Sequence, residues 1–259
     1  MKRSGFLGRY EIKNLIGNPN VIVTEEKGSF KVIERVKDLS VTSENAQAEY
    51  FSSEMNVRRK QLICNLESSD VVLQIGEMQW MVGNVKLTTG IKGAGDYFSK
   101  TFKGALTKES GIKPEYTGTG TVVCEPTYKH IILLDLDDWD NNLVIDDGMF
   151  LASEKSVQHK IVSRSNLSSA MLGGEGLFNL SLRGKGVIAL ESNVPYEELV
   201  EIKLEDDVVK IDGNMAIAWS STLNFTVEKA AKGFIGSAAT GEGFVNVYRG
   251  TGTILMSPY

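Results

Sequence analysis

The chain has 259 residues, of which 42% are hydrophobic and 24% are charged, so it is large enough to bury a substantial core. Its formal net charge of −5 argues against nucleic-acid binding, because surfaces that bind nucleic acids are usually basic. The sequence has no run of 18 apolar residues, and no apolar stretch follows the basic N-terminus, so we expect neither a membrane span nor a secretory signal.

Residues 1–55 are predicted to form an N-terminal extension that packs on the body of the protein. Residues 1–40 show some alternation of apolar and polar positions, which is typical of strands. Residues 43–53, SENAQAEYFSS, combine polar capping residues with helix formers and predict one short helix. Residues 94–107 predict a second short helix within the body.

An internal repeat organises the body. Residues 118–161 align without gaps with residues 184–227 at an offset of 66 positions, with few identical residues, and apolar positions match apolar positions between the two segments. Shared apolar spacing with few identities is expected of two copies of one buried scaffold.

Partial copies of the pattern flank these two segments. Near the C-terminus, Gly250 and Gly252 lie 66 positions after an equivalent glycine pair. Upstream, apolar residues such as Met81 resemble residues such as Leu151 at an offset of 70. We therefore predict three pseudo-repeats, and the outer two are less complete.

The predicted fold is all-β with a minor helical part. The repeat segments read as short strands bounded by glycine, proline, asparagine and aspartate, which favour tight turns. The body, residues 56–257, divides into pseudo-repeats at 56–116, 117–182 and 183–257. We expect the strands to close into a barrel or prism around a pseudo-threefold axis, because closure removes exposed strand edges.

Four stretches carry a family resemblance: EMQWMVGNVKLTTGIKGAGDYF, YTGTGTVVCEPTYKHIILLDL, SSAMLGGEGLFNLSLRGKGVIALES and GEGFVNVYRGTGTILM. They resemble the altered-inheritance-of-mitochondria family over about residues 43–257. This resemblance implies a fold like that of the tryptophan RNA-binding attenuator protein, a TRAP-like double-stranded β-helix. The mitochondrial members are associated with inner-membrane organisation, which implies a scaffold-like role.

The sequence offers no recognisable catalytic constellation, and we expect no enzyme and no cofactor. His130 and His159 are the only histidines, and the repeat aligns them with Tyr196 and Phe225, which indicates packing positions. Cys64 and Cys124 stand far apart, which fits buried thiols in a reducing compartment, and we expect a cytoplasmic protein.

The acidic residues do not form a recognisable metal site. The run from Asp135 to Asp140 lacks the central glycine and the terminal glutamate of a calcium-binding EF-hand loop, so we expect a solvated hairpin end and no metal. Asp146 and Asp212 recur in the repeat, but each lies in a predicted turn, where aspartate bonds its own backbone. The glycine clusters lack the strand, helix and lysine context of nucleotide-binding loops.

A glycine-rich loop recurs at nearly the same position of each pseudo-repeat. We expect these loops to gather at one end of the body and to contact a partner. The alternative is that their glycines only permit tight crossovers between strands. The candidate interaction residues are Tyr97, Phe98, Phe102, Gly173, Gly174, Glu175, Gly176, Gly241, Glu242 and Gly243.

The sequence thus favours a non-enzymatic scaffold or interaction protein. The alternative is a small-molecule- or RNA-binding regulatory protein, by analogy with the attenuator protein alone. As partners we expect another protein or a second copy of the chain, with a membrane surface as an alternative, and we do not expect a nucleic acid. The sequence identifies no small-molecule ligand.

Overall fold

The computed structural model describes residues 10–89, 113–163, 178–229 and 244–259, and the all-β expectation is confirmed. The N-terminal part contains β1 (Val21–Lys27), β2 (Phe30–Arg35) and the helix α1 (Ala46–Glu54). The next strands are β3 (Lys60–Asn65), β4 (Val71–Leu73), β5 (Met78–Thr88) and β6 (Glu115–Cys124).

The remaining described residues form ten more strands. The central group is β7 (His130–Asp135), β8 (Asn142–Ile145), β9 (Phe150–Glu154), β10 (Gln158–Ser163), β11 (Phe178–Arg183) and β12 (Val187–Ser192). The last group is β13 (Val200–Asp212), β14 (Ala216–Ser220), β15 (Asn224–Lys229) and β16 (Phe244–Met256). Short 3₁₀ helices span Leu136–Trp139 and Tyr196–Glu198.

The predicted N-terminal helix is confirmed as α1, although it begins three residues later than expected. The side chain of Asn45 accepts a hydrogen bond from the backbone N–H of Thr42 at 2.8 Å, which favours a turn before the helix. No residue of α1 is buried, so the helix adds little to the core. The second predicted helix, residues 94–107, lies outside the described residues.

The strands form two curled sheets. The nine-stranded sheet runs β1-β2-β3-β6-β4-β9-β12-β7, with β5 also paired to β6, and it is nearly closed into a barrel. The seven-stranded sheet runs β10-β11-β8-β14-β16-β13, with β15 also paired to β16, and it forms a half-barrel. The N-terminal segment contributes to the first sheet directly, because β2 pairs with β3 along its length.

The strand pairing itself repeats. Each repeat has a leading strand (β3–β4, β7–β8 or β13), a middle strand (β5, β9–β10 or β14–β15) and a glycine strand (β6, β11–β12 or β16). The glycine strand lies in the centre, with the leading strand on one side and the middle strand on the other.

In the first two repeats, the glycine pair is the point at which the glycine strand exchanges one leading-strand partner for another. In the first repeat, β6 pairs with β4 before the pair and with β3 after it. Gly118 and Gly120 have φ angles of 115° and 155°, which L residues rarely adopt. A Cβ at Gly118 would also overlap the carbonyl oxygen of Asn84, so the close approach of β5 requires glycine there.

Each complete sheet unit is built from two consecutive repeats. Strand β4 of the first repeat pairs with β9 of the second, and β8 of the second pairs with β14 of the third. Six strands result in each case: β5-β6-β4-β9-β12-β7, and β10-β11-β8-β14-β16-β13. Because residues from both repeats share each interior, neither repeat encloses its core alone.

The pairing corrects the expected offset of 70 between the first and second repeats. Met78 and Phe150 occupy the same place, 72 residues apart, because each precedes the same bulge against the glycine strand. The glycine strands keep the offset of 66, since Cys124 and Leu190 are the corresponding partners. The difference of six residues falls within the connection between the middle and glycine strands. The boundaries of the three pseudo-repeats stay a prediction.

Candidate functional site

All ten candidate loop residues lie outside the described residues, which leave out residues 90–112, 164–177 and 230–243. The strand ends on either side of these segments are described. In every repeat they belong to the middle strand and the glycine strand and are paired to each other, as Thr88 is to Glu115 and Lys229 is to Phe244. The interaction role of these loops therefore stays a prediction.

Among the described strands, two edges are not paired with the partner that the repeat leads one to expect. The leading strands β4 and β8 each pair with the middle strand of the next repeat. Within the described part of the chain, the equivalent stretch of β13, residues 209–211, pairs with β16 alone. The equivalent stretch of β5, residues 80–82, pairs with β6 alone. Each stretch is therefore the border of a half-sheet.

The complete sheets indicate which backbone groups these borders present. Gln74 N–H donates to the carbonyl oxygen of Leu151 at 2.8 Å, and Asp146 N–H donates to that of Ile217 at 3.0 Å. In an antiparallel ladder, only every second residue of a strand directs its backbone N–H and C=O towards a given neighbour. By the repeat offsets, the residues that direct these groups outward from the two borders are Lys210 on β13 and Met81 on β5.

Apolar side chains accompany both borders. Val209 and Ile211 pack with Tyr248 in one core cluster, and Trp80 packs with Val123 in another. The outer faces are also partly apolar, since Met81 is 40% exposed and Val208 is 43% exposed. Apolar groups on exposed strand edges favour association with another strand.

Between β1 and β7, side-chain hydrogen bonds take the place of a backbone ladder and close the nearly complete barrel. This contact between the two strands is called the β1–β7 seam. The Leu133 N–H donates to Glu25 Oε2 at 3.2 Å, and Lys27 Nζ donates to the carbonyl oxygen of Leu133 at 3.2 Å. Burial is the main cause that raises the pKa of Glu25, while the hydrogen bond from Leu133 lowers it. The two charged side chains thus satisfy the backbone N–H and C=O groups of Leu133 at the edge of β7.

A cleft of about 800 Å³ lies over this seam. Its walls come from β1, β2, β3, β7 and the start of β13, and its lining combines buried apolar residues of β7 with charged side chains. The volume falls within the range of small-molecule sites in proteins. Cationic and anionic groups both line it, so its field is mixed.

One end of the cleft holds a buried ionic group. Glu34 lies between Arg58 and Lys60, with Arg58 Nη1 at 3.0 Å and Lys60 Nζ at 3.6 Å from its carboxylate oxygens. The side chains of Glu34 and Lys60 are each only 6% exposed. One carboxylate cannot neutralise two cations, so the group keeps a net positive charge next to the cleft.

The two histidines occupy different environments. His159 is partly buried, shares a 2.8 Å hydrogen bond with Ser153 Oγ and packs edge-on against Phe150. Burial and the nearby Lys113 lower its pKa to about 4. His130 is half-buried and lines the cleft, and burial and Lys60 lower its pKa.

The remaining polar candidates form no metal site among the residues described. The acidic run forms a short 3₁₀ turn, in which Asp135 Oδ1 accepts a hydrogen bond from the N–H of Asp137. In the described ranges, no three His, Cys, Asp or Glu side chains are grouped so as to hold a metal ion. Cys64 and Cys124 are buried free thiols. None of the described helices has the length and apolar character needed to cross a membrane.

Sequence reasoning missed the cleft and both open borders. The cleft residues come from strands that are far apart in sequence, and no single motif brings them together. The borders had a signal, because the repeat implies a neighbour for every leading and middle strand.

One family model matches most of the chain, and two streptococcal proteins are similar to it. The family model described as mitochondrial biogenesis AIM24 matches residues 52–259. An uncharacterized protein of Streptococcus pyogenes serotype M6 is 33% identical over 195 residues, which cover 72% of this chain and 75% of that protein. A crystal structure of a Streptococcus pyogenes protein superposes with a TM-score of 0.57 at 27% identity, covering 79% of this chain and 90% of the other.

Proposed function

We propose that this chain, which belongs to the mitochondrial biogenesis AIM24 family, is a non-enzymatic scaffold or interaction protein that binds protein partners through its open strand borders. The membership confirms the family resemblance seen in the sequence. The likeness to the attenuator protein in fold, and any ligand or RNA binding that it implies, stay predictions.

The observation that carries the proposal is the pair of half-sheets bordered by residues 209–211 and 80–82. A strand edge presents unpaired backbone donors and acceptors, and an added strand can satisfy them with regular hydrogen bonds. Apolar side chains on the same stretches would gain burial when a partner covers them. Backbone hydrogen bonds to an added strand would supply affinity, and side-chain contacts would supply selectivity for the partner. Both properties suit a scaffold protein.

Site-specific photo-crosslinking tests this proposal. A photoreactive residue is placed at Met81, within one border, or at Val208, next to the other, and separately at Leu39, which is 69% exposed and lies in the loop between β2 and α1. Irradiation in living cells, followed by mass spectrometry, should identify a discrete protein joined to positions 81 and 208 but not to position 39. Equal labelling at all three positions, or none, would contradict the proposal.

The cleft supports a second candidate function, the binding of a small molecule with an anionic group. Its volume is sufficient, and the net positive charge around Glu34 would attract an anion. Native mass spectrometry should then show a retained mass that disappears on denaturation and is reduced in Arg58→Gln. Arg59→Gln is the matched control, because Arg59 pairs with Asp38 outside the cleft. A mass retained equally by both variants, or no retained mass, would remove this candidate.

A further inference from the structure

We propose that the partner of each border is the other border on a second copy of this chain. Residues 209–211 of β13 in one copy would pair antiparallel with residues 80–82 of β5 in the next copy, and a third six-stranded sheet would form between the copies. This inference rests on the proposed function and names its partner.

The two complete sheets provide the template for this pairing. Each joins the half-sheet of a leading strand to the half-sheet of a middle strand, through three residue pairs: Val71–Leu73 with Ala152–Glu154, and Leu143–Ile145 with Ala218–Ser220. The described chain also contains one unmatched half-sheet of each kind, β15-β16-β13 and β5-β6-β3. The two unmatched half-sheets are therefore of the two kinds that pair with each other in the complete sheets.

The repeat also fixes the register. Strand β13 corresponds to β8 at an offset of 66, and β5 corresponds to β9 at an offset of 72. These offsets place Lys210 opposite Met81 as the hydrogen-bonded pair. On either side of it, Val209 lies opposite Val82 and Ile211 lies opposite Trp80.

The side chains fit this register. Val209 and Ile211 belong to the apolar cluster of one half-sheet, and Trp80 belongs to that of the other. In the complete sheets, residues from both halves share a single cluster, as Leu73 and Ala152 do in the first. Pairing the borders would join the two separate clusters in the same way. Beyond the paired stretch, the Val208 N–H is already bound by the side chain of Asp207 at 2.8 Å.

The geometry points to another copy as the source of the missing half. Within the described chain the two borders are unpaired, although both are present. The contact is heterologous, since one copy presents β13 and the next presents β5, so assembly leads to a ring or to an open chain of copies.

Disulfide trapping tests the register and the partner together. One chain carries Val82→Cys and the other Val209→Cys, and the two are mixed under mild oxidation. A non-hydrogen-bonded pair brings its Cα atoms to about 4.5 Å, within the range of a disulfide. We expect a crosslinked dimer from this mixture and little from Asn84→Cys with Val209→Cys, which is displaced by two residues. The native thiols are buried and supply the background control.

A double variant distinguishes pairing between copies from pairing within one chain. The chain with both Val82→Cys and Val209→Cys should oxidise to dimers and larger species. A crosslinked species of monomer mass, with no dimer from the single-variant mixture, would overturn the inference, because the chain would then close on itself.

A charge exchange provides a second test. Met81→Lys places a like charge opposite Lys210 of the neighbouring copy and should prevent assembly. Light scattering, at the concentration at which the native chain assembles, should then show no species above monomer mass. Adding Lys210→Glu should restore them, and Leu87→Lys on the same strand should have no effect. If Met81→Lys leaves the mass unchanged, the inference fails. If position 81 crosslinks in cells to a different protein, the scaffold function stands and self-assembly does not.

Discussion

The carboxylate of Glu25 on β1 accepts a hydrogen bond from the backbone N–H of Leu133 on β7, at 3.2 Å. Glu25→Ala removes this acceptor, so we expect a loss of about 1–2 kcal/mol of unfolding free energy at pH 7, the usual cost of an unsatisfied donor. Glu25→Gln retains a carbonyl acceptor and should change stability by less than about 0.5 kcal/mol. Urea unfolding of the three proteins measures both values.

The pH dependence of the same variants tests the environment of Glu25. Burial raises its pKa in the folded protein, so the folded state binds the proton more readily than the unfolded state does. The stabilisation linked to this proton is complete below the unfolded pKa and is lost as pH rises through the folded pKa. The native protein should therefore gain stability relative to Glu25→Gln as pH falls from 7 towards 4. A constant difference over that range would contradict the assignment.

The three first glycines of the glycine pairs form a natural substitution series. Gly118, Gly184 and Gly250 have φ angles of 115°, 112° and 118°, so alanine meets the same backbone strain at each. The space differs: a Cβ would overlap Asn84 O at Gly118, lie 3.0 Å from Ser156 O at Gly184 and lie 3.7 Å from Thr222 O at Gly250.

We expect destabilisation to follow that order. Gly250→Ala should cost about 1–3 kcal/mol from strain alone, and Gly118→Ala should cost more than about 4 kcal/mol because backbone must also move. Thermal or denaturant unfolding of the three variants gives the ranking. Equal losses would show that strain, and not the approach of the neighbouring strand, governs these positions.

His159 should make stability depend on pH in the acid range. Its pKa is lowered to about 4 in the folded protein, whereas an unfolded histidine titrates near 6.5. Protonation of the unfolded state should therefore remove up to about 3 kcal/mol as pH falls from 6.5 to 4. His159→Phe with Ser153→Ala, which copies the Phe225 of the next repeat, should flatten this part of the profile. An unchanged slope would indicate that other groups cause it.

The buried charges beside the cleft should respond unequally to substitution. Glu34→Gln removes the carboxylate that pairs with Arg58 and Lys60, and we expect a loss of about 3–5 kcal/mol. Arg58→Met leaves the pair of Glu34 and Lys60 intact, so it should cost less. Chemical denaturation compares the two, and a smaller loss for Glu34→Gln would mean that water already compensates these cations.

Much of the fold could be predicted from the sequence because the repeat keeps its apolar spacing. The all-β class and the helix near residues 46–54 are confirmed. The offset of the first repeat was harder to obtain, because its six extra residues lie in the connection between the middle and glycine strands and only the strand pairing locates them.

The candidate sites were harder to predict, because contacts between distant strands create them. Lys60 at the start of β3 gives no hint that it is buried beside Glu34 of β2. Likewise, the charged residues of β1 do not reveal from the sequence that the side chains of Glu25 and Lys27 form hydrogen bonds with the backbone of β7. The recurring glycine-rich loops, which the sequence favoured, lie outside the described residues and still require direct tests.

The pairing of each leading strand with the middle strand of the next repeat has a consequence for how such chains can change in evolution. By the same pairing, an additional set of leading, middle and glycine strands would add one complete sheet and leave the same two half-sheets at the ends. Gene duplication or deletion of a whole repeat would therefore alter the length of the protein without altering the half-sheets at its two ends. The number of units is then free to vary, whereas the complementarity of the ends is inherited with every copy.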